Sequence, residues 1–343
     1  MSSEPGAGQT GGRQGLRAAQ QFPADFDGIV ALNPVHDKVN LLTQMIWVHQ
    51  ATAKDPASYI PLAKYKMIQD AAIAACDASD GTIDGLIGDP AKCAFDPARL
   101  QCPSNIDAAK CLTTDQVAAV NKIYAPARNP RTGEEIFPGM PRGSEAGWPA
   151  MTGATSAGQR DPYVIPRNYY QNVVFNDPTW NPLTLDFDVD WLHATKVDAS
   201  GAQMANNSAD LSAFKARGGK LIQAAGWADQ LVSPFSSINY FNRVAAQGST
   251  AEAQRFHRLF MLPGVAHCSN TLAGGKGYGP DVFDGLDAIS KWVETGTAPE
   301  QITASQFDEA GNLVRSRPLC PYPQIAFYRR TGSLNEAESF ACR

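Results

Sequence analysis

The chain has 343 residues, 43% of them hydrophobic, which is enough to bury a substantial core and to hold two domains. Net charge is −5 with a pI near 5.6, and no basic run marks a nucleic-acid surface. No apolar run approaches the about 20 residues needed to span a membrane.

The first eight residues, Met-Ser-Ser-Glu-Pro-Gly-Ala-Gly, lack the apolar core of a signal peptide. They read as a disordered lead-in or a misassigned start. Residues 12–22 have helical character: Leu16, Ala19 and Gln20 sit at helical spacing, and Pro23 stops the run. Residues 29–32 then read as a buried strand ending at Asn33-Pro34. Residues 37–206 differ in character. They hold four of the cysteines, many prolines and most of the tryptophans, and read as an inserted lid domain. Residues 1–36 and 207–343 make up the domain that carries it.

Two more core strands are expected at 220–225 and 256–262, with helices at 234–246 and 281–295. From residue 317 onward the Pro- and Cys-rich stretch reads as irregular. The expected fold class is α/β: a partial sheet, parallel and buried on both faces. Only three of its strands are visible, so residues 29–32 should lack neighbours on one side and leave an exposed edge.

Seven cysteines are present: Cys76, Cys93, Cys102, Cys111, Cys268, Cys320 and Cys342. Six fall into three locally spaced pairs, which suggests disulfides and an oxidising compartment. Free buried thiols are the alternative.

The chemistry concentrates at two strand ends. Gly226-Trp227-Ala228-Asp229 follows one strand, and Gly264-Val265-Ala266-His267-Cys268 follows the next. An acid and then a His in this order are the second half of a Ser…Asp…His triad. Asp229 would orient and His267 would act as general base. His36, His49, His193 and His257 lack any partnered motif and read as structural or surface residues. Upstream, where a nucleophile elbow is needed, the chain has Ala7-Gly8-Gln9-Thr10-Gly11-Gly12. Gln9 stands where a Ser is required, and an amide offers no proton of use to His267.

Thr10-Gly-Gly-Arg-Gln-Gly15, Phe22-Pro-Ala-Asp-Phe-Asp-Gly-Ile-Val30, Gly226-Trp-Ala-Asp229 and His267-Cys268 resemble the tannase/feruloyl esterase family, from Thr10 to Arg343. The resemblance implies an α/β-hydrolase with a lid. It implies hydrolysis of hydroxycinnamate or gallate esters through an acyl-enzyme, with a small aromatic ester as partner and no organic cofactor. It also implies a secreted or periplasmic location. The family elbow reads Gly-Cys-Ser-Thr-Gly-Gly, so Gln9 replaces the Ser, and Thr10 would lend its backbone N–H to the oxyanion hole. The chain as written is therefore expected to be inactive, with a non-catalytic remnant or binding protein of the same fold as the alternative.

The resemblance further implies the pairs Cys76–Cys93, Cys102–Cys111 and Cys320–Cys342. Closing the first loop would contribute about 3 kcal/mol on the chain-entropy model. The family's counterpart of Cys268 bridges to the Cys before the Ser; here that place is Gly8, so Cys268 should be a free thiol.

A second motif is Asp77-Ala-Ser-Asp80-Gly-Thr82-Ile-Asp84-Gly-Leu86. Clustered carboxylates suit a hard cation, and an acidic turn is the plainer reading. In the family a segment of this form binds Ca²⁺. Matched here, Asp77, Asp80 and Asp84 would be side-chain ligands, with the carbonyls of Thr82 and Leu86. Lid aromatics Trp148, Tyr163, Tyr169, Tyr170, Phe175, Trp180 and Trp191 would wall an aromatic pocket or simply form lid core. Arg142, Arg160 and Arg167 could meet a substrate carboxylate.

Overall fold

The computed structural model describes residues 10–104, 106–154, 163–271 and 275–343. Gln9, Gly8 and Arg160 lie outside the described residues.

The chain opens with helix α1 (Thr10–Gln21), which turns Gly12, Leu16 and Ala19 inward. Gly12 is required there by contact: a Cβ would come within 2.4 Å of the Leu32 carbonyl oxygen. Strand β1 (Gly28–Leu32) follows. After the long middle region come β4 (Lys220–Gly226) and β5 (His257–Leu262). These three form one parallel sheet in the order β1-β4-β5. Leu32 pairs with Ala224, and Gly226 with Leu262, so the carboxyl ends of the strands are level.

The expected strands are therefore present, with one correction. Strand β1 is not buried throughout; Ile29 and Ala31 are buried while its other residues are half-buried. It lies at the rim of the sheet, where among the described residues no strand pairs with its outer side. Apolar packing holds the sheet on both faces. Leu221, Leu259 and Phe241 belong to one core; Ile222, Phe260 and Trp292 belong to another. Phe260 is completely buried, a burial that contributes about 1.5–3 kcal/mol for a side chain of this class.

Residues 35–194 build a third core around helix α2 (Lys38–Ala53), joined by Leu231 and Val232. Helix α2 is buried on nearly every side, Thr43, Gln44, His49 and Gln50 included, because it is enclosed by others. Helix α3 (Leu62–Cys76) leads into the acidic loop. Helix α4 (Thr114–Tyr124) starts with a capping box between Thr113 and Gln116. A short ribbon, β2 (Ala127–Arg128) with β3 (Glu135–Phe137), completes the region.

The C-terminal part departs from the sequence expectation in two places. The helix expected over 281–295 starts only at Gly285, where the Asp284 side chain caps it by accepting the Asp287 N–H. Before it, β6 (Val282–Phe283) pairs with β7 (Ile302–Phe307), which pairs with β8 (Leu313–Leu319). The stretch expected to be irregular also pairs: β9 (Ala326–Tyr328) with β10 (Phe340–Cys342). The residues there are few per strand, and the Cys320–Cys342 disulfide staples them, so alternation is too short to show in sequence.

All three disulfides are formed as the resemblance implied: Cys76–Cys93, Cys102–Cys111 and Cys320–Cys342, leaving Cys268 free.

Candidate active site

The carboxyl ends of parallel strands are where open α/β sheets bind ligands. Here Asp229 sits just beyond β4 and His267 just beyond β5. The strand-end loops touch at Gly226, where a Cβ would lie 2.2 Å from the Val265 carbonyl oxygen. That closeness draws the two side chains together. His267 Nδ1 lies 2.7 Å from Asp229 Oδ2, and both residues are almost fully buried.

Asp229 is saturated with donors. Its Oδ1 accepts the backbone N–H groups of Leu231 and Val232, each at 2.8 Å. Its Oδ2 also accepts from Asn33 Nδ2 at 2.6 Å. A carboxylate oxygen facing Nδ1 favours the imidazole tautomer with its proton on Nδ1. The His267 backbone N–H is held in turn by Gln230 Oε1 at 3.1 Å. Burial opposes a charged imidazole, yet the Asp229 carboxylate, aided by the Cys268 thiol, holds the His267 pKa above its ordinary value. Buried His267 Nε2 has no hydrogen-bond partner among the described residues. The arrangement therefore presents an oriented proton acceptor.

Asn33 and Gln230 were not singled out by the sequence reading. Asn33 stands before Pro34 at a strand end with φ of 40°, which Asn tolerates better than most residues, but that local pattern does not point to Asp229. Thr10 begins α1 and is exposed. The nucleophile position, Gln9, lies outside the described residues.

The other histidines are structural. His36, His49 and His257 are buried, and His193 Nε2 lies 3.2 Å from the Val174 carbonyl oxygen. Of the aromatics singled out in the middle region, Trp148, Tyr169, Tyr170 and Trp191 are buried in the core around α2, with Tyr163, Phe175 and Trp180 packed against it. Arg142 is occupied by the Phe95 carbonyl and the Tyr124 ring.

The acidic loop is a compact turn. Asp77 and Asp80 are buried. Asp77 accepts the Asp84 and Gly85 N–H groups, Asp80 that of Thr82, and Asp84 that of Leu86. Asp84 also pairs with buried Arg317. One guanidinium does not balance the cluster: burial first, then Asp84 and Asp77, push Asp80 up to about 7. The charge excess and oxygen-rich donor set fit a hard cation. Against that, among the described residues no three His, Cys, Asp or Glu side chains are grouped to hold a metal ion.

Comparison with known proteins shows the family. A family model described as "Tannase and feruloyl esterase" matches residues 6–343. The chain belongs to the tannase and feruloyl esterase family. It is 37% identical over 368 residues to an uncharacterized esterase of Xanthomonas campestris pv. campestris, covering 97% of this chain and 63% of that protein. It is 34% identical over 348 residues to a probable feruloyl esterase B-1 of Aspergillus terreus, covering 97% and 64%. The tannase-family chain thus spans a little under two thirds of the length of these relatives. Among solved structures, feruloyl esterase B from Aspergillus oryzae superposes with a TM-score of 0.86 at 29% identity, covering 98% of this chain and 67% of the other. Tannin acyl hydrolase from Aspergillus niger shares the fold at a TM-score of 0.81 and 21% identity, covering 98% and 63%.

Proposed function

We propose that this chain carries the acid–base half of a carboxylic ester hydrolase for esters of hydroxycinnamic or gallic acid. The observation that supports it most is the buried Asp229–His267 pair beyond adjacent parallel strands, with His267 Nε2 unpartnered among the described residues. In that reading a Ser attacks the ester carbonyl, His267 takes its proton and returns it to the leaving alcohol, and Asp229 stabilises the imidazolium. Thr10 would offer its backbone N–H to the oxyanion. The domain division at residues 1–36, 37–206 and 207–343, with the middle part as lid, belongs to the same proposal.

Gln9 favours a second reading for the chain as written: a hydrolase fold without turnover, or a binding protein for a small aromatic ester. Removing a triad nucleophile costs several orders of magnitude in rate. The test is an assay on methyl ferulate, methyl gallate and p-nitrophenyl acetate. We expect no turnover from the chain as written and His267-dependent turnover from a Gln9→Ser variant. Turnover by the unaltered chain that His267→Ala abolishes overturns the inactive reading. A folded Gln9→Ser variant with neither turnover nor capture by a phosphonate ester overturns the esterase reading.

We also propose a structural Ca²⁺ in the acidic loop, with Asp77, Asp80 and Asp84 as carboxylate ligands and Thr82 and Leu86 as carbonyl ligands. Its positive charge would offset the carboxylate excess that Arg317 leaves. Three disulfides are consistent with an oxidising compartment, secreted or periplasmic. Among the described residues no helix is long and apolar enough to cross a membrane.

A further inference from the structure

The Asp229 carboxylate oxygen nearest His267 has two donors. His267 Nδ1 lies 2.7 Å from Oδ2, and Asn33 Nδ2 lies 2.6 Å from the same atom. Asn33 reaches it from a different strand. It is the residue after β1, its own backbone N–H is bonded to the Ala224 carbonyl of β4 at 2.8 Å, and it is buried. Its left-handed backbone, with φ of 40°, turns the chain off the sheet at the point where the side chain meets Asp229.

We infer that Asn33 is a positioning residue for the acid–base pair, one whose amide shares Asp229 Oδ2 with His267 and so sets how much of the carboxylate's charge the imidazole receives. A carboxylate oxygen that accepts a strong hydrogen bond from an uncharged amide holds part of its electron density there. The imidazolium, formed when Nε2 takes up a proton, is then stabilised less than it would be by an unshared oxygen. The amide also fixes the carboxylate plane, because the backbone N–H groups of Leu231 and Val232 hold only the other oxygen. Asn33 thus acts on both the aim and the basicity of His267 through Asp229.

Two groups act electrostatically on the imidazole: Asp229 and the Cys268 thiol. Another carboxylate on the same loop, Asp281, is engaged by the Asn270 N–H. The Asn33 effect is therefore expected through Asp229.

The inference rests on reading Asp229 and His267 as the acid–base pair, but its test needs no substrate. The intact chain, labelled with ¹⁵N in its five histidines, is titrated by NMR; His267→Gln assigns the signal by its loss. Asn33→Gly removes the amide and relaxes the backbone. Asn33→Ala removes the amide and keeps a Cβ. We expect the His267 midpoint to rise in Asn33→Gly by about one pH unit, a tenfold gain in proton affinity. In Asn33→Ala it should rise as far. A residue that only supports the fold would lower stability and leave the midpoint where it was. An unchanged midpoint in either folded variant overturns the inference. If the midpoint moves while Gln9→Ser remains inactive, the esterase reading fails and the inference stands.

Discussion

Leu86 of the acidic loop packs beneath Gly264, three residues before His267. A Cβ on Gly264 would come within 2.9 Å of Leu86 Cδ2 and 3.0 Å of the Gly279 nitrogen, and the residue's φ is 68°. The acidic loop and the His267 loop therefore share one contact surface. Gly264→Ala should lower stability by about 1–3 kcal/mol, from the left-handed backbone and the clash together. It should also loosen the His267 loop. Chemical denaturation gives the first effect, and hydrogen exchange at residues 264–268 the second. Wild-type stability in the variant would show that the contact yields freely.

Calcium binding at the acidic loop predicts a metal that survives purification without chelator. Elemental analysis of folded, undialysed protein should find about one calcium per chain, and Asp80→Ala should remove most of it, since ligand charge sets the affinity. Calcium-free protein, or an unchanged content in Asp80→Ala, removes the site.

The cysteine pattern predicts one titratable thiol in denatured, unreduced protein. Cys268 is free and half-exposed while the other six are paired. Peptide mapping should place the thiol on Cys268. A disulfide from Cys268 to another cysteine of the same chain would contradict the pairing.

Acid sensitivity follows from two buried histidines. Burial holds His257 down to about 3. Burial also holds His36 down to about 4, against an opposing pull from Asp37. Their folded pKa values lie below the unfolded one, so between pH 6.5 and those values the unfolded chain binds more protons. Stability should therefore fall as pH drops through this window, by at most about 1.4 kcal/mol per pH unit for each histidine. Denaturation midpoints of His257→Gln should depend less steeply on pH between 6 and 4. An unaltered slope would show that His257 is not a source of the sensitivity.

The strands at 28–32, 220–226 and 257–262 were legible because each is a short apolar run bounded by turn residues, and parallel strands show this pattern. Asp229 and His267 were legible because their order and strand-end positions are the pattern itself. Asn33 was not, since its meaning depends on β1 lying beside β4, a relation no local window contains. Gln230 was hidden for the same reason: its partner is a backbone N–H 37 residues away. The C-terminal ribbons escaped because β6, β9 and β10 have two or three residues each, too few to establish a period.

Strand β1 sits at the rim of its sheet and hands the chain directly to Asn33. Its inner side is fastened to β4, and its outer backbone groups have no strand partner among the described residues. Whatever sets the position of that rim strand also sets where the Asn33 amide stands, because Asn33 is the residue at which the strand ends and its own N–H is tied to β4.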